Sequence, residues 1–298
     1  MFIERLKTFM AEKEIKKIAL IISGGTCRGA AQVAFVNELI KRVGLERICV
    51  ISASSIGSLT AYATSVGRTE QLIEEYKNLD CDNIRHFTRK VKNDLFNDTF
   101  NLIESDIKVP TYLTVTRVRG LDCGYYCINH MPRKDLKACI NASMALPIIN
   151  GPLVFSKRLC IDGGATDNIP IYPATHYDPD MVIIIHCFSR FYPPEWVYEE
   201  FRKDTVIVDL DISLNFPDRF SPFSFSKTDF EYLTNQGKQD GEEFVNAIFP
   251  DFDTEKVRER CYQYIADHME KRHKKTWNGY MDLVEMLNAL YQIKEGII

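Results

Sequence analysis

Three short segments carry residue types that can do chemistry, and each follows or ends an apolar run. The first is Ser23-Gly24-Gly25-Thr26-Cys27-Arg28-Gly29. Glycines let the backbone turn sharply and expose its N–H groups. A helix beginning at Gly29 points its N-terminus at the same place, with unsatisfied donors and about half a positive charge. Such a loop suits an anion, either a phosphate or an oxyanion developing during a reaction. The second is Ala53-Ser54-Ser55-Ile56-Gly57, a G-x-S-x-G pattern with Ala in the first place. That pattern is a strained strand-to-helix turn that lifts the Ser Oγ clear of the backbone. The third, Leu159-Cys160-Ile161-Asp162-Gly163-Gly164-Ala165, puts a carboxylate at the end of an apolar run. There it acts as a general base if it reaches a nucleophile.

Each segment taken alone has a plainer reading: a structural turn, a Ser helix cap and an Asx turn. Nucleotide chemistry fits poorly. A Walker loop ends in Gly-Lys-Ser/Thr, whereas Arg28-Gly29-Ala30 stands here. A dinucleotide fingerprint needs a glycine where Thr26 sits and an acidic residue after the second strand, where the chain reads Ser52-Ala53-Ser54-Ser55. A Ser–His–acid hydrolase would draw on His176 or His186, which follow Asp162 in the order such enzymes use, but its elbow comes after several strands and Ser55 comes after only two.

The elements that must hold these segments are legible in the patterning. Lys17–Ile22 reads as a buried strand and Gly29–Val43 as a helix closed by Gly44. Arg47–Ile51 reads as a second strand, followed by a helix over Ile56–Val66. Strand, helix, strand and helix within so short a span imply a parallel sheet with right-handed crossovers, whose ligands bind at the carboxyl ends of the strands. Residues 69–106 read as helical. Tyr112–Val118 and Gly124–Ile128 read as a strand pair and Asp135–Ser143 as a helix. Residues 159–162, 181–187 and 205–210 read as further strands, and from Asp229 onward the pattern is helical, interrupted near Pro250. The expected organisation is a catalytic part over 15–215 and a helical part over 216–298 packed on the same domain.

The chain has 298 residues, 45% hydrophobic and 26% charged, with a formal net charge of −4. That is ordinary globular composition and lacks the basic footprint of a nucleic-acid binder, so no nucleic-acid partner is expected. Nine cysteines without a CxxC pair read as small apolar residues in a reducing compartment. Cys123, Cys127 and His130 lack zinc spacing, so no metal is expected. The charged N-terminus MFIERLKTFMAEKEIKK is unlike a signal peptide, and the longest apolar run, Met181–Phe188, is too short to span a bilayer. The expected location is cytoplasmic. The aromatic, proline-rich segments Ser189–Trp196 and Asn215–Phe225 read as loops packed on the core in preference to an acyl-chain pocket or interfacial face, and the basic run 271–275 as a solvated helix face in preference to a contact with anionic lipid head groups.

Taken together and in order, the three segments resemble the patatin-like phospholipase family, in its bacterial-type serine acyl hydrolases, over about Ile18 to Pro173. SGGTCRGAAQVAFVNEL is similar to the family's oxyanion segment, with Thr26 where a third glycine is usual. ASSIGSL is similar to its nucleophile elbow, NASMALPIINGP (Asn141–Pro152) to the segment before its catalytic Asp, and DGGATDNIPI to the Asp segment itself. The resemblance implies a three-layer α/β/α sandwich with a mainly parallel central sheet. It implies a hydrolase of lipid metabolism, a phospholipase or other lipid esterase, that works through a catalytic dyad and an acyl-enzyme. Ser55 would be the nucleophile and Asp162 the general base. The oxyanion would be held near Gly24, Gly25, Thr26 and Arg28. Ala53, Gly57, Gly29, Gly163 and Gly164 would shape the turns. No cofactor is implied, and the partner is a lipid or other acyl ester, with peripheral membrane contact open. A thioesterase or acyltransferase with the same dyad, or a lipid- or anion-binding module without turnover, would share these residues.

Overall fold

The apolar run after Lys17 forms β1 (Ile18–Ile22), buried along its whole length. Its two faces are separate. Ile18, Leu20 and Ile22 join one core cluster, while Ala19 and Ile21 join another. Burial on both faces is why the run is continuously hydrophobic rather than alternating. This computed structural model describes residues 14–91, 106–187, 195–217 and 223–268.

After β1 come α1 (Gly29–Val43), β2 (Ile48–Ala53), α2 (Gly57–Ser65), α3 (Thr69–Lys77) and α4 (Ile84–Lys90). Then come β3 (Thr111–Arg117), β4 (Asp122–Cys127), α5 (Arg133–Ser143), β5 (Leu153–Phe155) and β6 (Arg158–Asp162). The remainder is β7 (Met181–His186), α6 (Glu195–Glu199), β8 (Val206–Asp211), α7 (Lys227–Ile248) and α8 (254–268). The sheet order is β5-β6-β3-β2-β1-β7-β8, with β4 also paired to β3. Strands β3, β2, β1, β7 and β8 run parallel, and β4, β5 and β6 are antiparallel additions at one end. The expected α/β architecture with a mainly parallel sheet is therefore present.

The two helical layers are unequal. One face of the sheet packs on α1, α2, α5 and, beyond α1, on α7. The other is covered by Ile169, Ile171, Ala174 and the short α6 through Val197. Helix α7 opens with a capping box between Ser226 and Asp229. It lies so close to α1 that a Cβ on Gly237 would fall 2.2 Å from the Ala31 carbonyl oxygen. Residues 69–106, read as one helical stretch, divide into α3 and α4. Asn83 caps α4 by accepting from the His86 amide, and 92–105 lie outside the described residues.

The topology at β3 sets up the site. A strand has two edges, and β4 occupies one of them from Tyr112 to Arg117. The other edge is shared. β2 pairs with it up to Ala53 opposite Leu113, and β6, running the opposite way, pairs with it up to Asp162 opposite Val115. The carboxyl ends of β2 and β6 thus point at one another across Thr114.

Candidate active site

The elbow begins where β2 ends. The Ser54 amide donates to the Ile22 carbonyl, keeping the chain beside β1 for one more residue. Ser55 then takes a left-handed conformation, φ 52°. Non-glycine residues in that region are uncommon, and strain of this kind concentrates at functional sites. Helix α2 starts at once, with the Gly57 amide donating to Ser54 O and the Ser58 amide to Ser55 O. A Cβ on Gly57 would lie 2.4 Å from Ser23 O, so only glycine lets α2 start this close to β1. Ala53, the departure from the usual pattern, is buried in the core, and its extra methyl is accommodated there.

Ser55 Oγ donates to Asp162 Oδ2 at 2.6 Å, across 107 residues of chain. Both side chains are buried. The other carboxylate oxygen accepts from the Gly164 amide at 2.8 Å. The base is anchored through its backbone too: the Asp162 amide donates to Ala145 O, and Asp162 O accepts from Thr116 Oγ1 at 2.8 Å. Burial pushes the Asp162 carboxyl up to about 6, against the opposing pull of the hydrogen bonds from Ser55 and Gly164. An ordinary Asp is charged at neutral pH but weakly basic. This one is still mostly ionised at neutral pH and is a better proton acceptor. Gly163 and Gly164 are required by contact: a Cβ on the first would lie 2.2 Å from Thr114 O, and on the second 2.7 Å from Asn168 Oδ1.

The glycine loop abuts the nucleophile. A Cβ on Gly24 would fall 2.8 Å from Ser55 Cβ. The Gly24 amide donates to Asn168 Oδ1 at 3.1 Å, so this donor already has a partner. The amides of Gly25 and Ile56 make no hydrogen bond to any described residue. Thr26, where a third glycine is usual, adopts φ 51°, and its Oγ1 donates to Gly25 O. Arg28 is buried, and its Nη1 donates to Cys187 O at the end of β7; its guanidinium is not part of the cleft wall at Ser55. Gly29 packs on the elbow, where a Cβ would meet Ile56 Cγ1 and Tyr76 Oη at 2.8 Å.

Ser55 opens into a cleft that is partly open to solvent. Phe87, Val91, Met144 and Leu146 make an apolar wall, and Thr26, Thr88, Asn141 and Asn150 a polar one. The Asn150 Oδ1 is buried without a partner. The Asn141 side chain, on α5, makes no hydrogen bond to a described residue. Neither the α4 residues nor these two amides were marked by any spacing in the sequence. Only the place of Asn141 and Asn150 in the segment before Asp162 hinted at the two amides.

None of the described histidines hydrogen-bonds to Ser55 or Asp162. His186 is buried against Asp209 at 2.7 Å, His86 pairs with Asp82, and His176 packs edge-on to Tyr172. Among the described residues no group of three His, Cys, Asp or Glu is placed to hold a metal ion. Also among them, no helix is long and apolar enough to cross a membrane. Of the aromatic segments, Phe216 and Phe225 are buried, Phe225 stacking on Phe87, while 188–194 and 218–222 lie outside the described residues, as does the basic run 271–275.

Residues 20–122 match the family model described as Patatin-like phospholipase. The resemblance read from the motifs is borne out over that span, which holds the glycine loop and the elbow; Asp162 lies beyond it. The chain is 22% identical over 237 residues to an uncharacterized NTE family protein of Mycobacterium tuberculosis, covering 68% of this chain and 61% of the relative. It is 26% identical over 201 residues to an uncharacterized protein of Acanthamoeba polyphaga mimivirus, covering 58% of this chain and 64% of the relative. The chain thus spans about three fifths of the length of the curated relatives it matches. Among solved structures it is similar to VipD from Legionella pneumophila, with a TM-score of 0.44 and 12% identity over 95% of this chain and 80% of that one.

Proposed function

We propose that this chain, similar over residues 20–122 to the patatin-like phospholipases, is a lipid acyl hydrolase in which Ser55 and Asp162 act as a dyad. The observation that carries the reading is the 2.6 Å hydrogen bond from Ser55 Oγ to a buried carboxylate raised to about 6. Asp162 takes the Ser55 proton as Oγ attacks the ester carbonyl. The new C–O bond places charge on the carbonyl oxygen, which the unengaged amides of Gly25 and Ile56 and the N-terminus of α2 are suited to receive. Collapse breaks the ester C–O bond, and the leaving alcohol takes the proton back from Asp162. Water, deprotonated by the same carboxylate, then attacks the acyl carbonyl; the acyl C–O bond to Ser55 breaks, and Asp162 returns the proton to Oγ. The apolar wall of Phe87, Val91, Met144 and Leu146 suits an acyl chain, and the Asn141 and Asn150 amides suit the polar part of the ester. Arg28 is a loop-positioning residue in this scheme, since it ties the glycine loop to β7. The nine thiols, none in a disulfide, support a reducing, cytoplasmic setting.

The test is covalent labelling by a fluorophosphonate. The wild-type chain takes up the label at Ser55 and Ser55→Ala does not. Labelling that persists in Ser55→Ala removes Ser55 as nucleophile, and absence of labelling in the wild-type chain removes the enzyme reading. Product analysis with water and alcohol as competing acceptors then separates a hydrolase from an acyltransferase.

A further inference from the structure

Seven large apolar side chains stand exposed among the described residues, and three of them stand on the β3–β4 and β5–β6 hairpins, Leu121 at 69%, Val154 at 74% and Leu159 at 45%, with Ile148 at 58% in the loop before β5. Scattered exposed apolar residues need no explanation, but a cluster does. Val154 and Leu159 are directly opposed across the β5–β6 hairpin and so project from one face. The neighbouring β3–β4 turn holds Leu121, and the Val118 amide of that turn donates to Leu159 O at 2.9 Å. The two hairpin tips are therefore side by side. Because β3 runs parallel to β1 and β2, both tips lie past the carboxyl ends of those strands, the end that carries Ser55. Ile148 sits between Leu146 and Asn150, which line the cleft itself.

The same tips are basic. Arg117, Arg119, Lys157 and Arg158 stand there against one carboxylate, Asp122, which pairs with Arg117. Arg119, Lys157 and Arg158 form no ion pair with a described residue, in a chain whose net charge is −4. The backbone also departs from what an ordinary turn would choose. The two-residue β5–β6 turn has φ 50° at Ser156 and 61° at Lys157, a geometry that favours Asn-Gly. Leu121 and Ile148 are held at φ 47° and 72°, and a β-branched residue there is an outlier. Apolar and basic side chains thus occupy strained positions that a glycine would fill without cost.

We infer that these tips seat the chain on an anionic lipid surface, with the leucines and valine entering the interface and Arg119, Lys157 and Arg158 meeting head-group charge. Cationic side chains beside exposed apolar ones fit a negatively charged, amphiphilic partner. The placement sets this surface at the same end of the sheet as Ser55, on the face away from Phe155 and Cys160. The inference deepens the proposed hydrolase reading by naming where the ester is met, but binding is measured without turnover, so the two can fail separately.

The experiment is vesicle co-sedimentation of the full chain in the Ser55→Ala background. The vesicles are phosphatidylcholine alone, or phosphatidylcholine with one quarter phosphatidylglycerol. Binding is expected to the anionic vesicles and to be released by high salt, which shortens electrostatic reach. The double variant Lys157→Gln/Arg158→Gln should partition roughly 30-fold less, at about fivefold per basic residue near such a surface. Val154→Ser/Leu159→Ser should also partition less, with the salt dependence kept. With Ser55 restored, both double variants should hydrolyse a soluble short-chain aryl ester at the wild-type rate and melt at the wild-type temperature. Equal partition of wild-type and tip variants overturns the inference, as does equal binding to neutral and anionic vesicles. So does a dimer in solution that Val154→Ser/Leu159→Ser dissolves, which would assign the strip to a second copy of the chain. Vesicle binding with no ester hydrolysis leaves the docking surface standing and removes the hydrolase.

Discussion

Replacing Asp162 by Asn should kill turnover and stabilise the fold, and the size of the second effect follows from the site. Burial lifts this carboxyl from 3.8 to about 6, against its release into water on unfolding. Between those values the folded chain holds a proton that the unfolded chain has lost, so this group makes stability fall as pH rises. Below about 4 the carboxyl is neutral in both states and costs nothing; above about 6 the loss is complete. Two pH units correspond to about 3 kcal/mol. The carboxamide in Asp162→Asn would keep an acceptor for the Gly164 amide, fill the same space and carry no charge to desolvate. At pH 8 the variant should therefore melt roughly 5 °C above wild type, while at pH 4 the two should nearly coincide. Paired thermal melts at both pH values check this, alongside ester hydrolysis, which should fall by three orders of magnitude or more. A variant less stable than wild type at pH 8, or an equal difference at both pH values, would refute the claim that burial of an ionised base dominates the site. In the wild-type chain kcat should rise with unit slope through about pH 6. That limb overlaps the histidine range, so a pH profile does not separate carboxylate from imidazole, and variants must.

Ser55→Ala should lose all turnover, and Ser55→Gly should lose it too while being more stable than the alanine variant by about 1 kcal/mol, because φ 52° favours glycine; urea melts distinguish them. Gly24→Ala would place a methyl 2.8 Å from Ser55 Cβ, and should lower kcat by roughly a hundredfold with little change in KM. Thr26→Gly relieves a left-handed threonine and should raise stability by up to about 1 kcal/mol, with hydrolysis retained. His176→Ala and His186→Ala should each keep fluorophosphonate labelling and turnover within about tenfold when assayed below their melting points. A folded histidine variant as inactive as Asp162→Asn would replace the dyad with a triad.

Helix α1 was legible to the residue because Val33, Val36 and Val43 fall on one face and Gly44, at φ 79°, ends it. Strands β1 and β7 were legible because burial on both faces leaves an unbroken apolar run, Ile18–Ile22 in the first and 181–185 in the second. Strand β5 was not, since it is three residues long and Val154 points to solvent. The break between α3 and α4 was signalled by Asn83, a capping residue that mixed charge on both sides obscured. Ser55, Asp162 and the glycines around them were named from the sequence, but their grouping was not. It depends on β6 sharing an edge of β3 with β2, a long-range register that no local pattern encodes. The same limit applies to Arg28. Its sequence neighbourhood suggested an anion ligand, and the bond from its Nη1 to Cys187 O depends on β7 lying next to β1.

The arrangement at β3 also bears on how the chain responds to heat. Ser55 hangs from β2, an inner strand gripped on both sides. Asp162 hangs from β6, joined to β3 by three residue pairs and paired on its other edge with the three-residue β5. A strand advances about 3.3 Å per residue, so a two-residue slip of β6 would carry the carboxylate about 7 Å from the hydroxyl. Peripheral hairpins open at lower free energy than the global transition. Warming should therefore switch off turnover while circular dichroism still reports an intact sheet, and cooling should restore it without refolding. Hydrogen exchange would show the early loss as weakened protection at the amides of 158–162, with those of 18–22 and 48–53 unchanged.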